Sequence, residues 1–162
     1  MDKLTIQRAI PEHADVLSQL AYSSKKSWNY PSEWMELWKE DLIISETEIK
    51  INPTFILLHS DEIIGFCSLE KSGSVLEINH MWIAPEYKRK GLGQMLIIHA
   101  LKDTISPEIM EIKVLSDPNA VSFYQKLGFK TISWENSLPE GRKLPYMMIL
   151  PSALKKKINQ NN

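Results

Sequence analysis

Apolar residues recur along this chain at two spacings, every second position and every third or fourth, which are the periods of a half-buried strand and of an amphipathic helix. Leu4 to Ala9 alternates like a strand, and Pro11 to Lys25 carries Ala14, Leu17, Leu20 and Ala21 at helical spacing. Pro31-Ser32-Glu33 opens a second helix, with Trp34, Leu37, Trp38 and Asp41 on related faces, that extends to about Ser45. Thr54 to His59 and Glu62 to Leu69 read as strands parted by Ser60-Asp61, and Ser72-Gly73-Ser74 turns into a third, Val75 to Ile83, completing an antiparallel meander. Leu92 to Ile105 is a helix that stops before Pro107, and Ile109 to Leu115 returns as a strand through a right-handed crossover that builds the parallel part of the sheet. Asp117 caps a short helix with Pro118 at its first position, and Gly128 ends it. Its buried face is Ala120, Phe123, Tyr124 and Leu127. Phe129 to Glu135 and Tyr146 to Leu150 close the sheet, while Ser152 to Asn162 reads as a polar tail without a core role. The expected order is β-α-α-β-β-β-α-β-α-β-β, an α/β class with a mixed (α+β) sheet in a single three-layer domain over residues 1–150, followed by a tail at 151–162.

Composition adds limits to this picture. With 162 residues, 43% hydrophobic and 24% charged, the chain is of a size to bury one core as one domain. Nineteen basic residues nearly balance 20 acidic ones, so there is no global field to attract nucleic acid or an anionic membrane. The one cysteine, Cys67, lies in the apolar run Ile63 to Leu69, which leaves no intramolecular disulfide and no zinc cluster and reads as a small buried hydrophobe; no metal is expected. The N-terminus lacks a signal-peptide core and no apolar run is long enough to span a bilayer, so the expected compartment is cytoplasmic.

Candidate chemistry concentrates between the third meander strand and the following helix, at Lys88-Arg89-Lys90-Gly91-Leu92-Gly93. The first N–H groups of a helix lack internal partners and carry the positive end of the helix dipole, and glycine lets backbone approach a ligand closely. Three cations flank the turn, and no carboxylate in Leu92-Gly93-Gln94-Met95 competes with an anion. A glycine-rich turn beside a basic cluster also occurs as an ordinary solvated turn. The second informative stretch is Asn119-Ala120-Val121-Ser122-Phe123-Tyr124-Gln125-Lys126-Leu127-Gly128-Phe129.

Together these two segments resemble the GNAT superfamily of N-acetyltransferases, whose pyrophosphate loop reads Gln/Arg-x-x-Gly-x-Gly/Ala and whose later strand-helix unit often reads Asn-x-x-Ala-x-x-Phe-Tyr-x-x-x-Gly-Phe or a near variant. The resemblance covers the chain from about Leu4 to Leu150, with Lys88 in the first loop position and Asn119 followed directly by Ala120. It implies a GNAT-like fold and acetyl-CoA as cosubstrate, held by Lys88, Arg89, Lys90, Gly91, Leu92 and Gly93 mostly through backbone N–H groups. It also implies a pantetheine contact from Asn119 and from the backbone around Met81 and Ile83.

Acetyl transfer to an amine needs a neutral nucleophilic nitrogen, stabilisation of the oxyanion and a proton for the departing thiolate. By the resemblance, Tyr124 supplies that proton, and Glu77, directly or through water, is the first choice of base on the strand Val75 to Ile83. His80 is the second, since its intrinsic pKa suits proton transfer near neutrality. Strict alternation puts Glu77, Asn79, Met81 and Ile83 on one side and Ile78, His80 and Trp82 on the other, and a bulge, common here in the family, would change that parity. A solvent-facing Glu77, a core His80 and a core Tyr124 are the competing readings. The acceptor pocket is expected between Trp28 and Tyr30 on one side and the Ser137 to Pro145 loop on the other, with Arg142 able to meet a carboxylate; aromatic packing and a solvated arginine are the alternatives. The expected acceptor is a primary amine on a small molecule or peptide, attacked directly in a ternary complex, and assembly as a homodimer is left open. A non-catalytic acyl-CoA-binding module would keep the glycine loop without needing Glu77 or Tyr124. Nucleic-acid binding through Lys88-Arg89-Lys90 and Lys155-Lys156-Lys157 would be steeply salt-dependent and fits poorly with the balanced charge.

Overall fold

The computed structural model describes residues 3–160. Among them, seven strands form one sheet in the order β1-β2-β3-β4-β5-β7-β6. The strands are β1 (Leu4–Arg8), β2 (Thr54–His59), β3 (Glu62–Ser72), β4 (Val75–Ile83), β5 (Glu111–Leu115), β6 (Lys130–Ser137) and β7 (Arg142–Ile149). Neighbours are antiparallel except β4 and β5, which run parallel because the helix α4 (Leu92–Thr104) carries the chain back between them. The expected mixed sheet with helices on both faces is therefore present.

Alternation along the strands feeds two cores. Leu57, Leu69, Leu76, Ile78, Ile112 and Met147 point to the face covered by α4, α5 (Val121–Leu127) and α6 (Pro151–Gln160). Ile56 and Phe66 point to the opposite face, where α1 (Ala14–Lys26), α2 (Ser32–Trp38) and α3 (Glu46–Ile51) bury Leu17, Leu20, Met35, Trp38 and Ile49. Transfer of these side chains out of water, on the order of 1.5–3 kcal/mol for each large one, is the main force closing the three layers.

Three segments depart from the sequence expectation. The second helix ends at Trp38 rather than near Ser45; after a single turn of 3-10 helix at Glu40–Leu42, Ser45 starts α3 by accepting the Glu48 N–H on its hydroxyl at 3.0 Å. The last strand starts at Arg142 and runs through Pro145. Proline is tolerated there because the Pro145 carbonyl accepts the Ser116 N–H, just past the end of β5, so the missing donor faces a side with no strand to bond. The expected polar tail is corrected over residues 151–160, which form α6 and bury Leu154 (1% exposed) and Ile158 (8%) against the α4 side of the sheet; its last two residues lie outside the described ones. Two apolar residues four apart in a lysine-rich segment are enough once a core edge is there to receive them.

Candidate active site

The site is opened by a fault in the sheet. β3 and β4 pair Leu69 with Ile78 and Ser68 with His80, so Asn79 is an extra residue, bulged and exposed. β5 follows β4 only from Val75 to Ile78; from Asn79 to Ile83, β4 is bonded to β3 alone. A wedge thus opens between the second half of β4 and the end of β5. The Ala84 N–H bonds to Ile64 on the β3 side, and strand alternation therefore turns the backbone groups of Met81 and Ile83 toward the wedge. The Ile83 carbonyl is taken by the buried Ser24 hydroxyl at 2.8 Å.

At the mouth of the wedge lies the glycine loop. Gly91, at φ 77°, occupies the left-handed region immediately before α4, and Arg89 at φ 63° does the same two residues earlier, so the loop coils tightly into the helix start. The first turn of α4 has no carboxylate. Gly93 meets a different demand: a Cβ there would lie 3.0 Å from Phe123 Cε1 on α5 and 3.5 Å from Met81 Cε. The start of α4 can approach α5 and the wedge this closely only without a side chain at 93. The cations of the loop diverge. Lys88 Nζ donates to the Ser27 hydroxyl at 2.8 Å and the Ser24 carbonyl at 3.2 Å, over the Trp28 ring at 4.5 Å, which ties the loop to the C-terminal, negative end of α1. Burial lowers its pKa. Lys90 lies 5.5 Å over the ring of Tyr87.

The bulge also rearranges the candidate bases. Leu76 and Ile78 face the α4 core before it, and Met81 and Ile83 face the same core after it. The alternation expected from sequence, with Glu77 beside Met81 and Ile83 and opposite His80, is therefore corrected: Glu77, His80 and Trp82 share the other face. The Tyr146 hydroxyl donates to the Glu77 carboxylate, 2.8 and 3.0 Å from its two oxygens. Burial first, and then this carboxylate, push the Tyr146 pKa up to about 12, so the phenol keeps its proton and holds the carboxylate in place. His80 is held differently. The Trp82 indole N–H donates to His80 Nδ1 at 3.3 Å, and burial lowers the imidazole to about 4. It is neutral at physiological pH, and since Nδ1 accepts the indole N–H its proton is on Nε2.

Tyr124 lies on α5 with 4% of its surface exposed, edge-on to Phe123 and Phe129 at 5.1 and 5.5 Å. Burial, and after it the neighbouring Cys67 thiol, raise its pKa, so the phenol keeps its proton. Cys67, buried opposite Met81, is itself pushed up to about 12 by burial and stays an unreactive thiol.

Tyr30 and Arg142, two of the residues expected to meet the acceptor, are joined into one network. The Tyr30 hydroxyl donates to Asp117, 2.9 Å from both oxygens, and accepts from Asn119 Nδ2 at 2.9 Å and Arg142 Nη2 at 3.2 Å. Arg142 also reaches Asp117 Oδ2 at 3.4 Å and the Ser137 hydroxyl at 3.3 Å, with 10% of its side chain exposed. Lys25 Nζ is 3.6 Å from the same carboxylate, and its pKa is lowered by burial against the opposing pull of Asp117. Both cations stack on Trp38, whose indole N–H bonds to the Leu138 carbonyl. Trp28 packs on Trp82 with ring centroids 5.9 Å apart. Asp117 is thus more than a helix cap, and nothing in the local spacing of Lys25, Trp38 or Tyr146 marks these contacts, because the partners lie far away along the chain.

Comparison with known proteins agrees with this geometry. The acetyltransferase (GNAT) domain model matches residues 25–150. A spermidine N(1)-acetyltransferase of Thermoplasma acidophilum is 28% identical over 150 residues, covering 83% of this chain and 92% of that protein. A peptidyl-lysine N-acetyltransferase, YjaB of Salmonella typhimurium, is 29% identical over 90 residues, 56% of this chain and 58% of its own. In fold, the chain is similar to the PaiA N-acetyltransferase of Thermoplasma acidophilum crystallised with coenzyme A, with TM-score 0.73 and 23% identity over 91% of this chain and 99% of the other. A split parallel pair with a glycine loop at its mouth, together with a domain match that takes in the wedge, both flanking helices and the closing strands, shows that this chain belongs to the GNAT family and is an acetyl-CoA-dependent N-acetyltransferase.

Proposed function

We propose that the protein transfers an acetyl group from acetyl-CoA to the primary amine of a small molecule or peptide by direct attack within a ternary complex. The observation that carries this reading is the wedge: Glu77 stands on one face of β4 and Tyr124 lies on the helix that follows β5, on the other face, with the opened backbone of Met81 and Ile83 between them. Acetyl-CoA brings an activated acyl carbonyl and a thiolate leaving group. The N–H groups at the start of α4 and the loop from Lys88 to Gly93 hold its phosphates, with the Arg89 and Lys90 side chains adding positive charge. Asn119 and the Met81 backbone bond the pantetheine arm, and the Met81 N–H polarises the acyl carbonyl.

Glu77, oriented by Tyr146, takes a proton from the incoming ammonium, directly or through a water, so that the neutral amine forms the new N–C bond as the C–S bond breaks. Tyr124 gives its proton to the departing sulfur and is reprotonated by the proton that the acylated nitrogen sheds. His80, neutral and bound to Trp82, serves as a hydrogen-bond donor on the acceptor side and not as the base. Trp28 and Tyr30 wall that side with their rings. The relatives named for spermidine and for peptidyl-lysine both take primary amines, which supports the acceptor class.

The test is thiol release from acetyl-CoA across polyamines, amino acids, aminoglycosides and lysine peptides, with Tyr124→Phe as control. Amine-dependent release that falls about a hundredfold in turnover in the variant, with acetyl-CoA affinity nearly unchanged, is the expected outcome. Unchanged turnover removes Tyr124 as the acid, and release indifferent to every amine overturns the acceptor class.

A further inference from the structure

The network around Asp117 connects three stretches of chain that are remote in sequence: Tyr30 between α1 and α2, Asp117 and Asn119 between β5 and α5, and Arg142 at the start of β7. We infer that Asp117, Tyr30 and Arg142 are positioning residues that aim Asn119 at the wedge and so set the affinity for acetyl-CoA. This rests on the acetyl-transfer reading above, in which Asn119 contacts the pantetheine arm.

An asparagine amide has two hydrogens and one carbonyl oxygen. Asn119 Nδ2 gives its hydrogens to the Tyr30 hydroxyl at 2.9 Å and to Asp117 Oδ1 at 3.1 Å, and its backbone N–H goes to the same Asp117 oxygen at 2.8 Å. With both donors spent, the exposed Asn119 side chain presents only an acceptor, the group that an amide N–H of pantetheine requires. Neither anchor is free to turn. Tyr30 is held by Arg142 as well as Asp117, and Asp117 lies between Arg142 and Lys25 with 8% of its side chain exposed. Charge-assisted bonds between side chains as little exposed as Asp117 and Arg142 hold a geometry more firmly than those between fully solvated groups. Arg142, the residue expected from sequence to bind the acceptor, therefore acts on the cofactor side through two intermediaries.

The experiment is direct calorimetric binding of acetyl-CoA to the folded wild type, Tyr30→Phe, Arg142→Met, Arg142→Lys, Asn119→Ala and the Asn119→Ala/Arg142→Met double variant, with thermal midpoints recorded for each. Arg142→Met and Tyr30→Phe are expected to weaken binding about tenfold, since each leaves hydrogen-bonding groups of the network unpaired, and Arg142→Lys to recover part of the loss. In the Asn119→Ala background the Arg142→Met change is expected to have no further effect on affinity, because the residue through which it acts is gone. A structural role alone would lower the midpoint and leave the dissociation constant where it was. Tyr30→Phe, which removes one oxygen, keeps the test open should Arg142→Met fail to fold. Affinities within twofold of wild type for both would overturn the inference, as would full additivity with Asn119→Ala. Wild-type protein that does not bind acetyl-CoA would take down the transfer reading and this one together, whereas binding that is indifferent to the variants removes only this one.

Discussion

Glu77 and His80 stand on one face of β4 because Asn79 is bulged out between them, yet their surroundings give them opposite habits. The Tyr146 hydroxyl orients the Glu77 carboxylate, whereas His80 gives its lone pair to an indole N–H and is desolvated. For Glu77→Gln, turnover should drop about a hundredfold near neutrality and recover partly at higher pH, where more of the acceptor is already unprotonated; kcat and kcat/KM profiles against pH check this. A flat profile with full activity would move the base elsewhere. His80 has a signature in stability. Its folded pKa of about 4 lies below the ordinary 6.5, so both states are neutral above 6.5 and the unfolded chain takes up its proton first as the pH falls. The stability tied to a neutral His80 is present above 6.5 and is lost between there and about 4. Urea unfolding of wild type and His80→Gln across that range should give curves that converge toward the acid end by on the order of 1–3 kcal/mol. Parallel curves would show that His80 is not desolvated. At this scale the sequence named both candidates, since an acid and an imidazole on one short strand are visible by composition. The bonds that hold them come from Tyr146 and Trp82, the first of these 69 positions away from its partner.

Among the elements, the glycine loop and α4 form a single device with two distinct glycine requirements. Gly91 needs freedom at φ 77° and a Cβ there would meet only open space, so Gly91→Ala should cost roughly 1–2 kcal/mol through backbone strain alone. Gly93 sits in ordinary helix, and there a methyl meets Phe123. Chemical denaturation of Gly91→Ala, read beside acetyl-CoA affinity, tests the first point: a variant as stable as wild type would mean that the loop relaxes out of the left-handed conformation. The motif at Lys88 to Gly93 was readable because a strand, a turn and a helix start are contiguous. The role of Lys88 was not, because its ammonium reaches back 61 and 64 positions to the end of α1. The same division holds for α3, whose Ser45-to-Glu48 cap is a local signal that the expectation of one long helix obscured.

On the scale of the whole molecule, α6 turns a lysine-rich segment into part of the fold by adding Leu154 and Ile158 to the core beside α4. Truncation after Leu150 should therefore destabilise the domain by about 3–5 kcal/mol, two buried aliphatic side chains at the usual transfer cost, seen as a lower thermal midpoint; an unchanged midpoint would make the helix dispensable. Saturating acetyl-CoA should stabilise the untruncated chain by about 2.7 kcal/mol at a hundred times the dissociation constant, and so raise its midpoint. By itself the sequence determined the succession of most strands and helices, the glycine loop, the short helix after Asp117 and hence the family, since periodicity, caps and turns are written in neighbouring residues. Tertiary structure alone decided that β4 parts from β5 after the bulge, that Glu77 and His80 share a face, that the last ten described residues pack as a helix, and that Tyr30, Asp117, Asn119 and Arg142 form one network. Each of these is a contact between segments distant along the chain, settled by which surfaces the closed sheet brings together and by the cost of leaving their polar groups unpaired.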